Sequence, residues 1–191
     1  MSAAHKPWWD WLLEFLAGAM TKQQLGPLPP GTPAATWQTP IAATGYDRTI
    51  EEDRQRAAVV AYMRSQVGDR YTYGAEILPG HEAEAETGDC SEYVEAAYRV
   101  AGLMIPDGVV NQRAYCRPVR AECARPGDLY ILGPNAKGIP HVLVYSGQGT
   151  VIHALGGKGV VEQPADQWLT HPRFEGVRRH PDWMRPPEDR A

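Results

Sequence analysis

The second half of the chain is a series of short apolar segments separated by turn residues, and this pattern restricts the fold more than any other feature. The segments begin at Leu129, His141, Thr150, Lys158 and Phe174, and glycine, proline or polar residues separate them. Short segments joined by short connections are expected to pair as antiparallel strands. The sequence therefore predicts a small antiparallel sheet within residues 129–178.

Helical periodicity precedes these strands. Residues 49–66 begin with Thr49 and carry Glu52 three positions later, which is the capping-box pattern of a helix N-terminus. The predicted buried face of this helix consists of Ile50, Ala57, Val60, Met63 and Val67. A second helical pattern follows Cys90 and ends at Gly102. Helices followed by strands predict an α+β domain in which the helices pack on one face of the sheet.

Cys90 lies at the start of the second helix, directly after Asp89. Asp89 is a favourable N-cap residue, so Cys90 is expected in the first turn, where N–H groups and the helix dipole stabilise an anion. A thiol in this position is expected to have a lowered pKa, and the thiolate is its nucleophilic form. Cys90 is therefore a candidate nucleophile. The alternative is a small buried apolar residue, as most free cysteines are.

Two of the six histidines lie on predicted strands and are candidates for a base beside Cys90. Strand residues alternate between the faces of a sheet, so a three-residue loop at 146–148 would place His141 directly opposite His153. A two- or four-residue loop without a bulge would place them on opposite faces. With a shared face, His141 would act as general base and acid, and His153 would orient it. The alternative is a pair of half-buried strand residues with a structural role.

The cysteine and the two histidines together predict hydrolysis of an amide through a thioester. The thiolate attacks the carbonyl, His141 protonates the leaving amine, and water completes the reaction. The backbone N–H of Cys90, with help from Tyr71, is expected to bind the oxyanion. Asp89 and Ser91 are further candidates for this substrate and oxyanion site.

Composition limits the partners. The 191 residues include 19 basic and 23 acidic side chains, a formal net charge of −4, which argues against nucleic-acid binding because that usually requires a basic stripe. The sequence has no uncharged apolar run long enough for a transmembrane segment. It also has no Cys-x-x-Cys pair, so a structural zinc site is not expected. No cofactor is predicted. A disulfide between Cys116 and Cys123 is left open.

The chain is predicted to join an N-terminal helix to a globular domain. The predicted parts are an amphipathic helix at 1–25, a proline-rich linker at 26–45, the domain at 46–180 and a tail at 181–191. The helix would either pack on the chain's own domain or dock to a partner protein. Asp10 and Glu14 interrupt its apolar run, so we interpret it neither as a signal peptide nor as a membrane-surface helix.

Five short motifs follow one another through the predicted domain. They are residues 68–74 (GDRYTYG), 89–91 (DCS), 125–129 (RPGDL), 141–145 (HVLVY) and 151–154 (VIHA). Each motif is weak alone, but the five in this order resemble the NlpC/p60 family of cell-wall cysteine peptidases. The resemblance covers about residues 49–162.

The resemblance implies a compact papain-like fold, with the cysteine on a helix that faces a small antiparallel sheet. It implies a Cys-His-polar triad carried by Cys90, His141 and His153, with Tyr71 lining the site and no metal. The implied substrate is an amide bond in a peptidoglycan stem peptide, often between D-glutamate and a diamino acid. Ala75 and Glu92 stand where the family often has glycine, and this departure affects the expected substrate subsite.

A phage origin would explain how such an enzyme reaches the wall without a signal peptide. The chain would be a lysin or a tail component, and its N-terminal helix would bind phage tail proteins. The expected location is the virion tail, or the host cytoplasm before release to the cell wall. The alternative functions are an acyltransferase on the same fold and a non-catalytic virion or wall-binding subunit.

Overall fold

The structure is a computed structural model and describes residues 45–184, with side chains from residue 48 onward. Three predicted parts lie outside the described residues: the helix at 1–25, the linker at 26–45 apart from residue 45, and the tail beyond residue 184. The helices are α1 (Gly45–Ser65), α2 (Cys90–Val100), α3 (Val109–Tyr115) and α4 (Asp166–Leu169). Single 3-10 turns occur at Glu82–Glu84, Ala121–Cys123 and Pro181–Trp183.

The strands form two sheets within the described residues. They are β1 (Arg70–Tyr71), β2 (Thr87–Gly88), β3 (Arg117–Val119), β4 (Leu129–Leu132), β5 (His141–Gly147), β6 (Thr150–Leu155), β7 (Gly159–Pro164) and β8 (Phe174–Arg179). Strands β1 and β2 form a short parallel pair, and the other six form an antiparallel sheet in the order β3-β8-β4-β5-β6-β7. The predicted α+β class and the predicted sheet are confirmed.

The main core lies between helices α1 and α2 and one face of the six-stranded sheet. Met63 of α1 and Tyr93 of α2 are fully buried there against Val142 and Ile152 of the sheet. Burying an apolar side chain of this size contributes about 1.5–3 kcal/mol. A smaller cluster around Tyr130 and Leu143 covers the opposite face. The apolar contacts thus fix α2, and Cys90 at its start, against β5 and β6.

Helix α1 differs from its prediction in both its start and its buried face. It begins at Gly45, so Thr49 lies inside the helix rather than at its N-cap. Ile50 and Val67 are exposed, whereas Arg56 is buried. The buried face is rotated because Arg56 binds Asp128, which follows the turn before β4. A charged contact of this kind gives no apolar periodicity in the sequence.

The β5–β6 hairpin does not have the three-residue loop that we expected. Tyr145 pairs with Val151 but Gly147 pairs with Thr150, so Ser146 is an extra residue, a bulge, and the loop contains only Gln148 and Gly149. Both loop residues have positive φ, 52° and 77°, as a type I′ turn requires. A two-residue loop alone would place His141 and His153 on opposite faces of the sheet. The extra residue of the bulge returns them to the same face.

The register of this hairpin places the two histidines diagonally rather than directly opposite. The pair Val144–Ile152 puts His153 level with Leu143, two residues along β5 from His141. The two imidazoles therefore lie on the same face of the sheet, as predicted, but for a different structural reason.

The domain extends beyond the boundary predicted at residue 180. Trp183 is buried, stacks on Tyr98 with ring centroids 5.3 Å apart, and donates its indole N–H to Gln55 Oε1 at 2.9 Å. Cys116 is buried, Cys123 is exposed, and both are free, so the disulfide left open by the sequence is not formed. Among residues 45–184, no helix has both the length and the apolarity needed to cross a bilayer.

Candidate active site

Asp89 and Ser91 form the cap that starts helix α2 at Cys90. The Asp89 carboxylate accepts hydrogen bonds from the backbone N–H of Ser91 at 2.9 Å, the backbone N–H of Glu92 at 3.1 Å and the Ser91 hydroxyl at 2.8 Å. Its other oxygen accepts from the Gly74 N–H at 3.2 Å. Both side chains, which we predicted to contact substrate or the oxyanion, are thus engaged in holding Cys90 at the first helical position. The backbone N–H of Cys90 belongs to the first turn, where N–H groups have no partner within the helix.

The Cys90 thiol does not have the lowered pKa that its helix position suggested. Cys90 is only 6% exposed, and burial raises its pKa to about 11. The negative charge of Asp89 adds to this rise, whereas hydrogen bonds from the backbone N–H groups of Val142, Ser91 and Cys90 oppose it. Desolvation therefore outweighs the helix N-terminus, and the resting sulfur is a thiol.

The hydrogen-bond donor at Val142 locates the start of strand β5 beside the sulfur. His141 is the first residue of this strand and precedes Val142 directly. Its Nε2 lies 2.7 Å from His153 Nδ1, with ring centroids 5.0 Å apart and ring planes at 69°. His141 Nδ1 has no hydrogen-bond partner among the described residues. The two histidines thus form a hydrogen-bonded pair at the start of β5, whose second residue, Val142, shares the apolar cluster of Cys90.

Both histidines are neutral at neutral pH. Burial lowers the pKa of His141 to about 3, and the positive charges of His153, Arg173 and His171 lower it further. Burial also lowers the pKa of His153 to about 4, although its hydrogen bond to Gln163 opposes this change. A neutral imidazole can accept a proton, so His141 retains the capacity of a base.

Tyr71 packs against the apolar cluster that contains Cys90. It is paired with Gly88 in the β1–β2 ladder, two residues before Cys90. Burial raises the pKa of its phenol to about 12, and ionised Cys90 or Asp89 would raise it further. The hydroxyl therefore stays protonated and can donate a hydrogen bond into the site.

Two residues of this site were missed by the sequence interpretation. Gln163 Oε1 lies 3.1 Å from His153 Nε2, and the Trp168 ring meets the His153 ring edge-on at 4.8 Å and 77°. Gln163 lies on the strand predicted to begin at Lys158, but the alternation of side chains along this strand was not used to find partners of His153. Trp168 lies in the single turn of α4, which is too short to give a periodic pattern.

Glu92 is a buried carboxyl group in the first turn of α2. It is 8% exposed, and its Oε2 accepts a hydrogen bond from the Ile77 N–H at 2.9 Å. Carboxylate oxygens of Glu92, Glu95 and Asp107 lie within 4.8 Å of one another. Burial raises the pKa of Glu92 to about 7, and the negative charges of Glu95 and Asp107 raise it further. The hydrogen bond from the Ile77 N–H acts in the opposite direction.

We expect Glu92 to make the folded state less stable as pH rises. Because its folded-state pKa is above the ordinary value of about 4.3, its proton stabilises the fold fully at low pH, and this contribution is lost from about pH 4.5 to 7. Between pH 5 and pH 8, the free energy of unfolding of Glu92→Gln should therefore fall by about 2–3 kcal/mol less than that of wild type. Urea unfolding at both pH values measures this, with exposed Glu122→Gln as the control. Equal pH dependence in wild type and Glu92→Gln would contradict the assignment.

A cysteine at a helix N-terminus beside a sheet-borne histidine is the arrangement of papain-like thiol hydrolases. The chain belongs to the NlpC/P60 family, whose family model matches residues 68–179.

Curated relatives of the chain carry endopeptidase names. The chain is 34% identical over 140 residues to peptidoglycan endopeptidase RipB of Mycobacterium tuberculosis, covering 69% of this chain and 56% of RipB. It is 36% identical over 124 residues to a probable endopeptidase of Corynebacterium glutamicum, covering 64% of this chain and 49% of that protein. The chain thus spans about half the length of these relatives.

Solved structures of the family have a similar fold. The P60 domain of an antigen from Mycobacterium avium subspecies paratuberculosis matches with a TM-score of 0.55 and 25% identity, over 69% of this chain and 96% of that one. RipD of M. tuberculosis, described as a non-catalytic NlpC/p60 domain protein adapted to peptidoglycan binding, matches with a TM-score of 0.52 and 23% identity, over 65% and 96%. The likeness to RipD concerns the fold alone.

Proposed function

We propose that this domain is a peptidoglycan endopeptidase that cleaves an amide bond in the stem peptide, with Cys90 as nucleophile, His141 as general base and acid, and His153 as the residue that orients His141. The observation that carries the proposal is the 2.7 Å contact between His141 and His153 at the strand end whose Val142 N–H reaches the Cys90 sulfur. Membership of the NlpC/P60 family and the names of RipB and the corynebacterial relative support the substrate class.

The neutral resting state of the site determines the first chemical step. His141 Nδ1 takes the proton from the Cys90 thiol as the sulfur attacks the carbonyl carbon, since neither group is charged beforehand. The oxyanion forms near the Cys90 N–H and the protonated Tyr71 hydroxyl, which can both donate to it. His141 then gives the proton to the leaving amine. Water, deprotonated by His141, hydrolyses the thioester and restores the thiol.

The bond that we propose is the one between D-glutamate and the diamino acid. Stem peptides carry free carboxylates next to this bond, and the cation Arg173 near His141 suits them. Arg173 and His171 lie close enough to His141 to lower its pKa. The Arg173 guanidinium donates to the Gly133 carbonyl at 2.9 Å and retains further donors for a carboxylate.

Digestion of defined stem peptides by the full chain tests this function. We expect mass spectrometry to show one new product pair whose free amine is on the diamino acid, and no cleavage of a matched peptide with an α-linked L-glutamate. Absence of cleavage across several wall chemotypes, with a folded protein, would favour a non-catalytic wall-binding subunit, the function described for RipD. If an added amine were acylated instead of water, the acyltransferase alternative would replace hydrolysis.

Delivery of the enzyme by a phage, as a lysin or as part of the virion tail, is a further part of the proposal. Its support is the tryptophan-rich, amphipathic sequence of residues 1–25, which lies outside the described residues. Purified tail proteins should bind the full chain and lose that binding when residues 1–40 are deleted. Failure of the full chain to bind, or binding that survives the deletion, would remove this part of the proposal.

A further inference from the structure

Gln163 extends the hydrogen-bonded series of the two histidines by one residue. Its Oε1 lies 3.1 Å from His153 Nε2, and His153 Nδ1 lies 2.7 Å from His141 Nε2. We propose that Gln163 is a positioning residue whose side-chain carbonyl fixes the tautomers of both histidines, so that His141 presents an unprotonated Nδ1 to the thiol. This inference rests on the proposed thiol mechanism.

The tautomers follow from which groups can donate. A carbonyl oxygen only accepts hydrogen bonds, so His153 Nε2 must carry the hydrogen in its contact with Gln163. A neutral His153 then has a bare Nδ1, which accepts a hydrogen bond from the Nε2–H of His141. A neutral His141 with its hydrogen on Nε2 has a bare Nδ1, the form needed to take a proton from Cys90. Burial lowers the pKa of both rings, which favours the neutral forms on which this series depends.

The opposite orientation of the amide would disable the base. If the Gln163 NH₂ donated to His153 Nε2, then His153 Nδ1 would carry the hydrogen and donate to His141 Nε2. The hydrogen of His141 would then lie on Nδ1, and His141 could not accept the thiol proton there. One partly buried amide thus determines the protonation of an atom two rings away.

Gln163 is a diagonal neighbour of His153 on the adjacent strand β7, just as His141 is on β5. Strands β6 and β7 pair His153 with Val161 and Val151 with Gln163, so Gln163 lies two residues along β7 from the position opposite His153. His153 is therefore flanked by a diagonal neighbour on each adjacent strand. The Trp168 ring packs against the His153 ring, with centroids 4.8 Å apart and ring planes at 77°, and restricts rotation of the imidazole.

Two substitutions in the full chain separate this role from a structural one. Gln163→Glu keeps an acceptor and removes the donor, whereas Gln163→Leu keeps the size and removes both. At neutral pH, ¹⁵N NMR of labelled histidine, assigned with single histidine substitutions, should show His141 and His153 protonated at Nε2 in wild type and Gln163→Glu, and a tautomer mixture in Gln163→Leu. Gln167→Leu, on exposed α4, is the control and should match wild type.

Kinetics give the second measurement. We expect Gln163→Leu to lower kcat by about 10- to 100-fold with little change in KM, the usual range for a residue that orients an active-site ligand. Gln163→Glu should keep most of kcat and move the acid limb of the pH profile to higher pH, because a carboxylate stabilises the protonated imidazole. Thermal unfolding of both variants checks that they fold.

The outcomes distinguish this inference from the function on which it rests. Wild-type tautomers in Gln163→Leu, with unchanged kcat, would overturn the role of Gln163 and leave the hydrolase intact. Loss of activity in Gln163→Glu but not in Gln163→Leu would show that the amide donates, and would also overturn it. If wild type cleaves no stem peptide, the hydrolase proposal fails, while the NMR measurement still decides whether Gln163 sets the tautomers.

Discussion

Replacing Cys90 with alanine is expected to abolish stem-peptide cleavage while leaving the domain folded. The sulfur is the atom that forms the thioester, and loss of a nucleophile from a catalytic triad lowers kcat by roughly 10⁴-fold or more. Cys90→Ser should be inactive as well, because burial disfavours an alkoxide even more than it disfavours the thiolate. The release of free amines from a defined stem peptide, followed by mass spectrometry, measures both variants.

The other two cysteines give a matched comparison. Cys123 is exposed, and Cys123→Ala should keep wild-type activity. Cys116 is buried beside β3, at the far edge of the sheet from β7, so it lies too far from the two histidines to replace Cys90. The Cys90→Ala substitution removes one buried sulfur. This loss costs about 1 kcal/mol of folding stability, which lowers Tm by a few degrees only. Cleavage by Cys90→Ala at more than roughly a thousandth of the wild-type rate would exclude Cys90 as nucleophile.

Asp128→Asn is expected to destabilise the fold strongly. Asp128 is 0% exposed, and its carboxylate pairs with Arg56 at 3.0 Å and with Arg179 at 2.7 Å. It also accepts the backbone N–H of Arg125 at 2.8 Å. One carboxylate thus joins helix α1, strand β8 and the turn before β4.

Asparagine has the same shape as Asp128 but no charge, so Arg179 loses its carboxylate partner and Arg56 keeps only Glu52. Breaking a buried pair in this way costs about 3–5 kcal/mol, or roughly 10 °C in Tm for a chain of this size. Asp53→Asn is the control, because Asp53 pairs with Arg125 in solvent and should change stability by less than about 0.5 kcal/mol. Similar melting temperatures for the two variants would show that the buried cluster is not a main source of stability.

The parts of the site that depend on local rules could be predicted from the sequence. Asp89 caps the helix that starts at Cys90 because capping involves neighbours only two and three residues apart. The placement of His141 and His153 on adjacent strands followed from alternating apolar segments and turn residues. The identity of the three candidate catalytic residues, which remains a prediction, required only these local patterns and the order of the motifs.

The parts that depend on tertiary packing could not be predicted. The thiol pKa was expected to fall because the helix terminus is visible in the sequence, but the burial of Cys90 that raises it comes from strands about fifty residues away. Arg56 was not expected inside the core, since its partner Asp128 is 72 positions later. Trp183 was assigned to a tail because a single aromatic residue after the last strand carries no periodicity.

The extra residue Ser146 restricts how this hairpin can change during evolution. Because side chains alternate along a strand, gaining or losing one residue between His141 and His153 would turn one imidazole toward the opposite face of the sheet. The apolar packing of both strands would have to be reversed with it, so such lineages would lose catalysis and stability together. Length variation at this turn should therefore be tolerated in steps of two, or where one bulge is exchanged for another. The number of residues at the tip of the hairpin is therefore as restricted as the positions of the two histidines, although the tip lies on the surface.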